Sequence, residues 1–213
     1  MFESWVDRAI QYLRERYPLR VFLPVATGLT MLAFVDEGPK AWLDFLLTLL
    51  TVLAMVFQFR LWDDLGDQPY DRFHHPRRVL SRASELSLYW QTVAGFGIFN
   101  LALVMLLDRR YLWLAAFNAL ALLWYEIVHI EWRRSIPGRH LTLLKYPAFI
   151  LSIAPGSGFG SRLILSMAAA YLCGGIYELF HDGEMRSQPA ARRLAVTEAF
   201  LLATVAIAGG YSH

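Results

Sequence analysis

At 213 residues, with 56% hydrophobic and 15% aromatic residues and a mean hydropathy of +0.37, the chain exceeds the roughly 45–50% apolar content of soluble domains. It reads as a membrane protein forming a single domain over residues 1–213. The net charge of +2 says little alone, whereas the single cysteine, Cys173, excludes an intrachain disulfide and a thiolate metal cluster and reads as a small buried hydrophobe.

Residues 1–19 are mixed-charge and amphipathic, without the basic start, apolar core and small-residue cleavage site of a signal peptide. They read as an interfacial helix with Trp5, Ile10, Tyr12 and Leu13 towards lipid and Asp7, Arg8, Arg14 and Arg16 towards water. A bilayer-spanning helix needs ~20 mostly apolar residues. Seven such windows follow, over residues 20–35, 41–59, 86–107, 111–130, 142–157, 162–180 and 191–210. Lys145 and Pro147 interrupt the fifth, which ends in the tight outer turn PGSGFGS. Long apolar runs disfavour a barrel, whose strands would alternate over ~10 residues. The expected fold is therefore an all-α integral membrane bundle of about seven transmembrane helices with an N-terminal interfacial helix.

The connecting segments alternate in charge. Those on the N-terminal side hold Arg8, Arg14 and Arg16, then Arg60 to Arg82, then Arg133, Arg134 and Arg139, then Arg186, Arg192 and Arg193; the other side holds Lys40, Arg109, Arg110 and Arg162. The positive-inside rule places the N-terminus and the arginine-rich loops in the cytoplasm. The expected location is the inner (plasma) membrane of a bacterium. Topology accounts for the arginines, so a nucleic-acid role has no support.

The second window runs into RLWDDLGDQPYDRFHHPRRVLSR. Asp63, Asp64, Asp67 and Asp71 fall within nine residues, followed by Arg72, His74, His75, Arg77, Arg78 and Arg82. Spacings of three and four put carboxylates on one helix face, where like charges repel unless a cation neutralises them. Magnesium binds through one or two carboxylates plus substrate phosphates. Pro69 is expected to kink the helix end, so the later carboxylates would come from a loop. Arg72 and Arg78 suit phosphate oxygens. A second polar cluster, YELFHDGEMR, with Tyr177, Glu178, His181, Asp182, Glu184 and Arg186, follows the sixth window on the same side. A solvated acidic loop, and a transition-metal site from His74, His75 and His181, are the competing readings.

DDLGDQPYDRFHHPRRVL resembles the first signature of the UbiA-type membrane prenyltransferase superfamily, NDxxDxxxD with a basic tail after the second helix, and YELFHD resembles its second aspartate-rich motif after the sixth. The resemblance implies Asp64, Asp67 and Asp71 as the first motif's aspartates, with Asp63 in place of the usual asparagine. It implies Glu178 and Asp182 as the second acidic pair. Together these five would hold Mg2+. Arg72, Arg78, Lys145 and Arg186 would contact the diphosphate, and Asp64, Asp67, Asp71 and Lys145 would serve catalysis. The chain is shorter than the family by its last two helices.

The implied activity is magnesium-dependent transfer of a prenyl group from an isoprenyl diphosphate to a small hydrophobic or aromatic acceptor at a cytoplasm-facing site. The competing activities are a membrane terpene cyclase using the same diphosphate site, and a non-catalytic lipid-binding or transport protein. Trp62, Tyr89, Trp90 and Trp124 are candidate aromatic faces for a carbocation. Glu126, His129, Tyr177 and His181 are candidates for an acceptor or prenyl pocket. Asn100, Asn118 and Gln91 read as interhelical hydrogen-bonding residues, and Asp44 as a side chain reaching the interface.

Overall fold

A computed structural model describes residues 5–83, 85–156, 158–181 and 188–210, with side chains at all of these except 5, 179–181 and 208–210. The described chain is helical and contains no strand. Each apolar window of the sequence carries a helix: α2 (Leu19–Ala33), α3 (Trp42–Gly66), α6 (Ser87–Leu106), α7 (Tyr111–Ile127), α10 (Lys145–Ile153), α11 (Ser161–His181) and α12 (Pro189–Gly210). α3 and α6 are long and apolar enough to cross a membrane, at about 38 and 30 Å; α2 and α7 are shorter apolar helices.

The fifth window is shorter than its apolar run. α10 has 9 residues, about 14 Å, because the chain first forms α8 (Ile130–Arg134) and α9 (Ile136–Thr142) across one end of the bundle. Ser135 caps α9 by accepting from the Gly138 N–H, and Pro137 fits the first turn, where no donor is needed. α3 runs further than expected, through Asp63 and Asp64, and ends at Gly66. Pro69 does not lead into a loop. It occupies the first turn of α4 (Gln68–His74), so Asp71 is helical, and the Asp67 N–H still donates to Asp63 O at 2.9 Å; a single turn, α5 (Val79–Arg82), follows.

α2, α3, α6, α7, α10 and α11 form a ring in which each packs against the next, and α11 closes it by packing on α2. α10 also touches α2 and α3, while α12 packs on α11 outside the ring. The interior is apolar, with Phe59, Phe117 and Phe149 clustered at centroid separations of 5.1–6.4 Å. One polar knot crosses it: Asn100 donates to Gln58 at 2.8 Å and Gln58 donates to Asn118 at 2.6 Å. Asn100 and Asn118 thus join α3, α6 and α7 through Gln58; Gln91 is exposed. The exterior is also apolar, with Ile98 72%, Leu106 81% and Leu112 68% exposed, more than a monomer surrounded by water ordinarily presents.

α1 (Trp5–Arg16) departs from the expected interfacial orientation. Tyr12 is 2% exposed and packs beside Tyr89 and Phe57 rather than towards lipid. Arg16, expected in water, forms an ion pair with Asp64. An aromatic ring long enough to reach the core, ending in a hydroxyl, is drawn inward by the buried carboxylate.

Candidate functional site

At the end of the ring where α1, α4, α8 and α9 gather lies a cavity of about 1390 Å³. Ordinary small-molecule pockets hold roughly 300–1,000 Å³, so this one admits a headgroup with a long tail or two ligands. Its two halves differ in chemistry. The mouth carries Arg16, Arg60, Arg78, Arg133, Arg134, Arg139 and Lys145 against Glu15, Asp63, Asp67 and Glu178. With Asp64 and Asp71, which pair with Arg16, Arg60 and Arg78 from behind the wall, the described groups are seven basic against six acidic, a small positive excess. Deeper, the walls are Val25, Gly28, Leu29, Leu32, Val56, Phe59, Phe149, Ala169 and Ala170.

The four clustered aspartates divide into two pairs. Asp64 and Asp71, seven residues apart, are each 5% exposed and do not line the cavity. Asp64 accepts from Tyr12 Oη at 2.9 Å and Arg16 Nε at 3.1 Å, with Arg60 Nη2 at 3.3 Å. Asp71 accepts from Arg78 Nη1 at 2.6 Å. Asp63 and Asp67, four residues apart, face the cavity. Asp63 is held by Lys145 and by the Tyr125 hydroxyl, both reaching it from other helices. Asp67 has a looser partner, Arg134 Nη1 at 3.7 Å. Burial, and then the Asp63 charge, push the Asp67 carboxyl above the usual carboxylate range.

Arg133 is 8% exposed, donates to Gly66 O at 2.9 Å and lies over the Tyr125 ring at 5.2 Å. Among the described residues, its Nε and Nη1 find no hydrogen-bond partner. Arg60 Nε is likewise unpartnered. A buried guanidinium with open donors is costly unless an acceptor meets it. Arg134 covers the Tyr70 ring at 3.5 Å, which fixes α4 against α8. The α3–α4 junction must be narrow there. A Cβ at Gly66 would come within 2.5 Å of Arg133 Nη1 and 2.8 Å of Tyr125 Cδ1.

Of the residues predicted from sequence, Asp67, Lys145, Arg78, Tyr177 and Glu178 line the cavity. Asp64 and Asp71 lie behind it in ion pairs. Arg72 is exposed and directed at Gln68, whose amide oxygen, turned towards it, lies 2.9 Å from Arg72 Nη2. Glu126 and His129 are exposed and off the cavity; His129 Nδ1 instead accepts the Glu131 N–H at 3.4 Å, capping α8. Trp62 and Tyr89 are buried in the core, and the aromatic rings on the cavity wall include Phe59, Tyr125, Tyr146 and Phe149. Cys173 is exposed on the cavity wall rather than buried. Asp182, Glu184, Arg186 and the side chain of His181 lie outside the described residues, as does the side chain of Trp5.

Sequence reasoning missed Asp63, Tyr125, Arg60 and Arg133 as cavity residues. Arg60 carries a signal, its i, i+4 spacing to Asp64; Arg133 looks from sequence like any positive-inside residue. Among the described residues, no group of three or more His, Cys, Asp or Glu side chains is placed to hold a metal by itself. The other end of the bundle holds a smaller pocket of about 440 Å³ and is tied by polar contacts: Asp44 accepts from Arg109 at 2.8 and 3.0 Å, and Arg110 donates to Gly156 O at 3.1 Å. Comparison with protein-family models, curated proteins and solved structures finds no match for the chain.

Proposed function

We propose that this chain is a short member of the UbiA-type membrane prenyltransferase superfamily, a seven-span bundle with its N-terminus and site on the cytoplasmic side. Its reaction transfers a prenyl group from an isoprenyl diphosphate to a hydrophobic or aromatic acceptor. One observation carries the reading: a single cavity joins a net-basic mouth containing a carboxylate pair to an apolar chamber. That division matches a molecule with a polyanionic head and a hydrocarbon tail. The apolar exterior and the two long apolar helices support placement in a membrane.

Magnesium fits the mouth. Asp63 and Asp67 offer hard oxygen donors one helical turn apart, and Arg134, the cation paired with Asp67 among the described residues, stands back at 3.7 Å. Two protein carboxylates with phosphate oxygens complete the coordination magnesium favours, which needs no third side chain. Bound there, the metal would neutralise charge developing on the diphosphate. Glu178 lies across the same mouth.

The protein groups divide the remaining work. Arg133, with two open donors, and Lys145 bind and orient phosphate oxygens as the allylic carbon–oxygen bond lengthens. Lys145, held by Asp63, is positioned before substrate arrives. Tyr146, partly exposed on the wall, offers a ring face to the cationic prenyl fragment, with Phe59 and Phe149 packed into the wall beside it, and the apolar walls exclude water from the fragment. Asp64, with Tyr12, Arg16 and Arg60, holds α1 against the end of α3 and so shapes the mouth from behind.

The test is incubation of detergent-solubilised protein with magnesium and farnesyl or geranylgeranyl diphosphate, with and without candidate acceptors. Prenylated acceptor that disappears on chelation is the expected product. Cyclised hydrocarbon formed without acceptor assigns the same site to a cyclase. Unchanged diphosphate throughout, with binding indifferent to chelation, leaves lipid binding or transport.

A further inference from the structure

The length of the chamber is written along α2. Val21, Val25, Gly28 and Leu32 all line the cavity, and their spacing of four, three and four keeps them on one face of the helix. From Val21 to Leu32 that face rises about 17 Å, and Gly28 stands about 11 Å along it. The other three positions carry branched side chains. At Gly28 the wall is bare, and a Cβ built there meets nothing within 4 Å. Because the ring closes by packing α11 on α2, a tail in the chamber runs along this wall.

Resting on the proposed function, we infer that Gly28 sets the longest hydrocarbon tail the cavity accepts. The missing side chain keeps the chamber open between Val25 and Leu32, so a tail passes from the mouth half into the far half beside it. A large side chain at 28 would divide the chamber and leave a shorter one. The charged residues of the mouth come from α1, α3, α8, α9, α10 and α11 and from Asp67 and Arg78, none of them from α2, so the mouth would be untouched. Selectivity would then change with tail length and not with headgroup.

The experiment compares binding of geranyl, farnesyl and geranylgeranyl diphosphate, with magnesium, to the wild type and to Gly28→Phe, Gly28→Leu and Gly28→Ala in detergent. For Gly28→Phe, geranylgeranyl diphosphate is expected to weaken by about tenfold or more and geranyl diphosphate by less than about twofold. Gly28→Leu repeats the order with smaller losses, and Gly28→Ala leaves all three unchanged. Retained geranyl diphosphate affinity certifies that each variant is folded with an intact mouth; should Gly28→Phe lose that too, Gly28→Leu decides. If Gly28→Leu weakens all three equally, or if neither Gly28→Phe nor Gly28→Leu weakens any of them, the assignment of Gly28 is overturned while the diphosphate site stands. A wild type that binds none of the three overturns both readings.

Discussion

Asp64 and Asp71 on one side, and Asp63 and Asp67 on the other, are chemically identical pairs whose environments differ entirely. The first pair is sealed: Asp64 meets a phenol and two arginines, Asp71 meets Arg78, and neither reaches the cavity. The second pair is open to the cavity, and Asp67 sits where burial and a like charge disfavour its ionised form. A sealed carboxylate contributes to the fold. An open one is available to a ligand, and the cost of its exposure to a like charge is recovered when a cation arrives.

The largest expected effect breaks the sealed pair. Asp64→Ala strands Arg16, Arg60 and the Tyr12 hydroxyl, and should destabilise the protein by about 3–5 kcal/mol, read from thermal unfolding in detergent. A fully stable Asp64→Ala protein that loses diphosphate binding would reverse the division, making Asp64 a ligand group. Next, Asp67→Asn should leave stability within about 0.5 kcal/mol but weaken magnesium-dependent diphosphate binding by about 2 kcal/mol, roughly thirtyfold. Binding unchanged in this variant removes the open pair from the site.

The pH dependence follows from the direction of the Asp67 shift. Its pKa in the fold lies above the ordinary carboxylate value, so on acidification it takes up a proton earlier than an exposed aspartate does. Magnesium held by this carboxylate would require the ionised form, so affinity is expected to be full well above that raised pKa and to fall about tenfold per unit once pH drops below it. Calorimetric titration across the acid range measures the slope, and Asp67→Asn should abolish it. The smallest effect is Tyr125→Phe, which removes one hydrogen bond to Asp63 and should cost about 1 kcal/mol of stability while leaving the carboxylate in the cavity. A thirtyfold loss of affinity from this change would make the Tyr125 hydroxyl a ligand contact in its own right.

Much of the fold was legible because apolar length is a strong signal: each of the seven windows carries a helix. The short helices α4, α8 and α9 were not, since seven or fewer residues give too little periodicity to read. The acidic cluster was visible too, but its division was not. Neighbouring residues on a helix point about 100° apart, so Asp63 and Asp64 must face different surroundings. α3 is apolar on all sides and offers no stripe to say which direction is inward. Arg133 was hidden for a similar reason: a buried arginine and a topogenic one look alike in sequence, and only the packing of α8 against Gly66 separates them.

The clasp of α1 on Asp64 also has a place in time. Arg16 and Asp64 are separated by 48 residues, so at synthesis rates of roughly 5–20 residues per second α1 exists for about two to ten seconds before its partner is made. During that interval Tyr12 and Arg16 have no buried carboxylate to meet. The helix's final contacts close only once the end of α3 is in position. An N-terminal segment whose amphipathic pattern suits an interface, yet whose tyrosine ends in the core, serves both stages with one sequence.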